Sequence, residues 1–177
     1  MKKKIAILSM IILMMAISAS AKEVTDIKGW NAALWGMTEA DLMNSFKGKI
    51  TDTGDRKSLD GRTYRNLEIE KYDIDGVEFK VLFEMGVSDK KLKRVRLVTN
   101  SALASYFSQF EQLLTNKYGQ PKSKDNSQDR MSTDKTAAWL LPSTKIELLY
   151  SYTRGLGSIL NIIYSDKSFI KDTTDKL

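Results

Sequence analysis

The chain has 177 residues, with 28 Lys and Arg against 22 Asp and Glu and a formal net charge of +6. Three of the cations, Lys2, Lys3 and Lys4, belong to an export-type leader; without them 25 face 22, and a balance of +3 excludes the charge pattern of a nucleic-acid binder. With no His and no Cys, Ser-His-Asp and Cys-His nucleophiles, His/Cys zinc sites and imidazole acid–base catalysis are excluded; carboxylate pairs, Lys, Ser or Tyr remain open for catalysis, an enzyme is handicapped and none is expected, nor a metal or cofactor, and the core must hold the fold without disulfides.

In chain order, "MKKK" reads as a positive n-region, "IAILSMIILMMAI" as an apolar h-region too short to span a bilayer, and Ala19-Ser20-Ala21 as a small-x-small cleavage signal. Residues 1–21 are therefore expected to be a signal peptide, cut after Ala21 and leaving a periplasmic or secreted chain. No Cys follows the h-region to carry a lipid, so no stable membrane anchor is expected.

The stretch "LWGMTEADLM" from Leu34 to Met43 predicts a helix start. Thr38 stands as N-cap with Asp41 three residues on, the spacing of a capping box, and Met37 and Leu42 occupy the positions of a hydrophobic staple. The helix is expected over about 39–47, stopped by Lys47-Gly48-Lys49. After a turn-rich segment, "TYRNLEIEKYDIDGVEFKVLFEM" alternates as a hairpin. Its apolar parity favours pairing Leu67 with Phe83 and Ile69 with Val81 through a three-residue Ile74-Asp75-Gly76 loop. "KLKRVRLVT" gives a third strand with Val95 and Leu97 inward and Arg94 and Arg96 outward.

The period then becomes helical. Leu103, Tyr106, Phe107, Phe110, Leu113, Leu114 and Tyr118 recur on one face, and Gly119 with Pro121 ends the helix. A polar connector, "KSKDNSQDRMSTDK", precedes three more strands, "TAAWLL", "KIELLYSY" and "SILNIIYS". The expected fold class is α+β, built as tandem units of one helix packed on a three-stranded antiparallel sheet. The first unit covers 22–100, the second 101–166, and 167–177 is a weakly ordered tail.

"WGMTEADL" at positions 35–42 resembles the Gly-Met-Thr helix start of small bacterial envelope proteins, the outer-membrane-assembly lipoproteins of the SmpA/OmlA type and the β-lactamase inhibitory protein among them. Together with Tyr118-Gly119-Gln120-Pro121, the Trp139 strand and the closing "LNIIY", it is similar still more to a group of uncharacterised secreted and periplasmic bacterial proteins. The resemblance implies a helix-plus-sheet repeat that acts by contacting proteins. This chain lacks the lipid-bearing Cys of the first group and the disulfides of the inhibitor, so neither anchoring nor inhibition is carried over.

Several sharper readings meet simpler ones. "YDIDG" places Lys71 where a calcium loop needs a carboxylate, so it reads as a hairpin turn. Glu68, Glu70, Glu78 and Glu84 could hold a hydrolase's carboxylate pair, but they share the outward face with Lys80, Arg94 and Arg96, which favours cross-strand ion pairs. Trp30, Trp35 and Trp139 read as core rather than as a ligand pocket. What resists is the second sheet. With Trp139, Leu141, Ile146, Leu148, Leu160 and Ile162 inward, Leu140, Leu149, Ile159 and Ile163 point outward, and something must cover them. The expected cover is a protein partner or a second copy, with the protein's own tail through Phe169 and Ile170, or the segment Val24 to Leu34, as the alternatives. The expected function is thus a non-enzymatic binding and interaction module. A carrier of a small apolar ligand, which would need a deep cavity beneath the second helix, is the alternative, and a carboxylate-dependent hydrolase is the weaker one.

Overall fold

The computed structural model describes residues 26–174, except 57 and 59. The expected leader, with Ala19 and Ala21, lies outside the described residues. A small hairpin comes first, β1 (Gly29–Trp30) and β2 (Ala33–Leu34), followed by α1 (Glu39–Ser45), β3 (Thr51–Asp52), β4 (Thr63–Ile74), β5 (Val77–Gly86) and β6 (Leu92–Asn100). Next come α2 (Ala104–Tyr118), β7 (Ser123–Gln128), β8 (Ser132–Leu140), β9 (Thr144–Thr153), β10 (Gly157–Asp166) and α3 (Lys167–Thr174).

The expected tandem of two α+β units is corrected by the sheet. The fold is mostly β, and eight strands form one antiparallel sheet in the order β3-β4-β5-β6-β10-β9-β8-β7. The join lies at β6 and β10, which pair from Asn100↔Ile159 to Arg94↔Ser165. Two separate three-stranded sheets would each leave a long apolar edge strand open; joining them satisfies both edges and merges the inner faces into one core. Phe83, Val95, Leu97, Ile162, Leu148 and Trp139 all belong to that core, as do Leu42 and Phe46 from α1 and Phe107, Phe110 and Leu114 from α2. The helices therefore share one face. The segment read as a polar connector is largely edge strand β7 and the start of β8, paired from Ser123↔Ala138 to Gln128↔Thr133, and residues 167–174 of the expected tail form α3.

The β4–β5 hairpin keeps its expected core pairs, Leu67↔Phe83 and Ile69↔Val81, but closes through a two-residue turn with Ile74 opposite Val77. Asp75 (φ 54°) and Gly76 (φ 79°) are both left-handed, the signature of a type I′ turn. A bulge between Ile69 and Tyr72 absorbs the parity conflict that had argued for three residues.

The motif Trp35-Gly36-Met37-Thr38 clamps the molecule as well as starting a helix. Thr38 Oγ1 accepts from the Asp41 amide (3.3 Å) while the Thr38 amide donates to Asp41 Oδ2 (2.9 Å), a complete capping box. The Gly36 amide donates to Leu92 O and the Leu92 amide to Met37 O, welding the helix entry to the start of β6. Trp35 Nε1 reaches across to Thr144 Oγ1 on β9 at 2.8 Å. The helix ends at Ser45, earlier than the Lys47-Gly48-Lys49 stop, because Phe46 leaves helical geometry to stack on Trp30 with ring centroids 6.2 Å apart.

Candidate functional site: a cleft between the first hairpin and the second helix

The cleft begins with how residues 26–34 are held. Asp26 accepts from the Ser143 amide (2.8 Å) and hydroxyl (2.6 Å), and Ile27 O accepts from the Thr144 hydroxyl. The hydrogen bonds from the Ser143 side chain and backbone keep the Asp26 carboxyl below the usual aspartate range. The chain turns at Asn31 (φ 51°) and Ala32, and Gly29 of β1 pairs with Leu34 of β2 at close range. A Cβ there would lie 1.9 Å from the Ala33 carbonyl oxygen, so no other residue fits. The hairpin drives Trp30 into the core, where Tyr72 meets it edge-on at 5.1 Å and Phe83 at 6.4 Å.

Opposite the hairpin stands α2, and between them a cleft of about 850 Å³ opens over the sheet. The α2 wall supplies Phe110, Leu113, Leu114, Lys117 and Tyr118; the floor is Ile162 and Tyr164 of β10; the remaining wall is the end of β4 with its turn, Tyr72 to Asp75. Phe110 is locked by Phe79, edge-on at 5.1 Å. The helix ends at Gly119 (φ 83°), whose carbonyl accepts from Trp139 Nε1 at 2.8 Å. Tyr118-Gly119-Gln120-Pro121 thus fixes the far end of the wall to β8.

Three phenols gather here. Tyr72 OH accepts from Asn31 Nδ2 at 3.2 Å, which leaves its own hydrogen to donate. Tyr164 is buried, and burial first, then its hydrogen bond and proximity to Tyr118, push its pKa well above the ordinary tyrosine value. The charged groups at the cleft are Lys28, Lys117, Asp73 and Asp75. Asp75 Oδ2 accepts from Gln109 Nε2 at 2.9 Å and Asp73 Oδ1 from the Gly76 amide at 3.3 Å. Lys117 lies over the Tyr118 ring at 5.2 Å. Among the described residues neither Lys28 nor Lys117 forms an ion pair.

The sequence-derived candidates fall elsewhere, on the opposite face of the sheet. Ile163 is buried, Leu149 and Ile159 are half-buried, and Leu140 is 51% exposed. They do not line the cleft. The chain itself buries Ile163; α3 lies against β10, and Arg62 ties the tail back by donating to Phe169 O (2.9 Å) and stacking over the Phe169 ring (4.3 Å). Residues 26–34 pack instead on the inner face, with Trp30 and Ala33 in the core. The four glutamates each find a cation: Glu84 takes Arg94 (2.7 Å) and Arg96 (3.1 Å), Glu68 and Glu70 share Lys80 (2.9 and 2.7 Å), and Glu78 meets Lys71 at 3.5 Å.

Trp139 is buried as core. Trp30 is both core and cleft wall. Sequence reasoning missed Lys28, Tyr72 and Lys117. Inward parity marked Tyr118 and Tyr164 as core without showing that a hollow lay beside them.

Among the described residues no group of three or more acidic side chains is placed to hold a metal ion, and no helix is long and apolar enough to cross a membrane. Comparison of the chain with protein-family models, with curated proteins and with solved structures finds no match.

Proposed function

We propose that the protein is a non-enzymatic binding module, periplasmic or secreted as its leader-like start suggests, and that it carries a small, largely apolar ligand in the cleft beside α2. The observation that carries this reading is the cleft itself. Its volume of about 850 Å³ falls within the range of small-molecule sites, and its lining joins apolar side chains to a few phenol and ammonium groups. A neutral naphthylamine dye should bind saturably and quench or shift the emission of Trp30. Leu113→Trp fills the cleft from a position 37% exposed and should abolish dye binding while the melting temperature holds. Absence of saturable binding, or binding indifferent to Leu113→Trp, would overturn the reading.

One observation favours a second reading, in which the outer face meets a protein partner or a second copy: Leu140 is 51% exposed beside half-buried Leu149 and Ile159. Leu140→Lys with Leu149→Lys should then yield a folded protein of smaller assembly size. An unchanged sizing profile counts against self-association through this face.

A further inference from the structure

Resting on the cleft reading above, we infer that the ligand is a single-chain amphiphile with an anionic head, a carboxylate or a phosphate, lying at the Lys28 and Lys117 end. The charges at the cleft are sorted along its length. Gln109 donates to the Asp75 carbonyl (3.1 Å) and carboxylate (2.9 Å), so that part of α2 sits against the β4–β5 turn, and Asp73 and Asp75 occupy this end. Lys117 follows Gln109 by eight residues, which at 1.5 Å each carries it about 12 Å along the helix axis.

Lys28 belongs to the same far end. Its neighbours Asp26 and Ile27 are bound to Ser143 and Thr144 at the start of β9, and the carbonyl of Gly119, two residues beyond Lys117, is bound by Trp139, the partner of Ile146 on β9. The cleft therefore has an acidic end and a basic end, with Phe110, Leu114 and Ile162 among its lining.

The two ends differ in what they still need. At the acidic end both carboxylates already accept hydrogen bonds. At the basic end Ser143 holds the Asp26 carboxylate by two hydrogen bonds; that carboxylate also feels the Lys28 charge, but neither ammonium group has a carboxylate within ion-pair distance among the described residues. Two such cations at the mouth of an apolar cleft favour an anion there, since charge-assisted hydrogen bonds are stronger than neutral ones. Repulsion from Asp73 and Asp75 keeps that anion from the other end, which fixes the direction in which the chain lies.

Four ten-carbon probes with different heads separate the alternatives when titrated into the purified protein, read by Trp fluorescence and calorimetry: decanoate, decyl phosphate, decanol and decylamine. Decanoate and decyl phosphate should bind about tenfold or more tightly than decanol, with decylamine weakest. Their ranking against each other distinguishes a fatty-acid-like ligand from a phosphate-headed one. Lys28→Gln with Lys117→Gln should erase the anion's advantage, so that decanoate and decyl phosphate bind the variant no more tightly than decanol does, with the thermal melt unchanged. Equal affinity for all four heads, preference for decylamine, or indifference to the double substitution would overturn the headgroup assignment while leaving the cleft as a binding site. Failure of every probe, decanol included, would overturn the assignment and the cleft reading together.

Discussion

Helix α1 has seven residues, of which Leu42 alone is buried, and a full capping box at its start; α2 has fifteen residues, four of them buried, and no side chain capping its N-terminal amides. Both lie on the same face of one sheet and feed the same core. Isolated helices this short do not persist in water, because the nucleation cost outweighs a few turns of propagation. Each needs help of a different kind. For α1 it is polar: the local Thr38–Asp41 box, and Glu39, which accepts from Tyr64 of β4 (2.6 Å) and Arg56 (2.9 Å). For α2 it is apolar and distant: Phe107, Phe110, Leu114 and Tyr118 buried in the shared core. The difference suits the proposed site, since a wall held by side-chain packing presents apolar surface to a ligand, and a wall held by caps would not.

The contrast breaks most visibly at Phe110. Truncating this 1%-exposed ring to Ala removes its contact with Phe79 and leaves a cavity beneath α2. A loss of about 3–5 kcal/mol is expected by urea denaturation. A loss below about 1 kcal/mol would mean that packing does not hold this helix.

At α1 the expected effect is smaller and of another origin. Thr38→Ala should cost about 1 kcal/mol, with Thr38→Asp close to wild type, because either oxygen can accept from the N3 amide. Equal stability of wild type and Thr38→Ala would show that the box seen here does not contribute.

Acid should find α1 too. Burial works to raise the Glu39 pKa, but hydrogen bonds from Arg56, Tyr64 and Asn66 outweigh it and hold the carboxyl below the ordinary glutamate value. A depressed folded-state pKa gives stability that is present above the unfolded value and lost as pH falls through the folded one. Glu39→Gln should therefore flatten the acid limb of the stability curve below the usual glutamate range and leave its shape near neutrality alone. The partner phenol, Tyr64, is pushed up to about 12 by burial and by Glu39, so it stays a donor throughout that window.

These local features were the legible ones. A capping box is written in residues three apart, and the Leu67↔Phe83 and Ile69↔Val81 pairs follow from alternation. The single sheet was not legible, because nothing in the alternation of β6 or β10 says that Arg94 pairs with Ser165 rather than facing water. Strand β7 has all six residues exposed, so it carries no period to read. Among the described residues its one strand neighbour is β8, and Lys124 pairs with Glu111 of α2. The cleft was hidden for a related reason. Nothing in the sequence links Lys28 to Lys117, 89 positions apart, and only the packing of β1 and β2 across from α2 gives them a common space. Apolar outward positions proved a weaker guide, since Ile163 is buried by its own chain and Leu140 is not.

The smallest expected effect tests the comparison from the other side, by giving α2 what α1 already has. Leu103 holds the N-cap position of α2 in extended geometry (φ −71°, ψ 145°), is 59% exposed, and offers no side-chain acceptor. The Tyr106 amide turns back to the Leu103 carbonyl at 3.0 Å, which leaves the Ser105 amide for a side-chain oxygen. An Asp at 103 can accept there and also sets a negative charge against the positive end of the helix dipole. Because the leucine gives up little burial, Leu103→Asp should stabilise the protein by about 0.5 kcal/mol. Packing already fixes α2, so the gain should fall short of the loss caused by Thr38→Ala. Paired chemical denaturation of the two variants measures both. A gain at 103 equal to or larger than the loss at 38 would mean that α2 is limited by its uncapped end rather than carried by its core, and the division of labour between the two helices would fail.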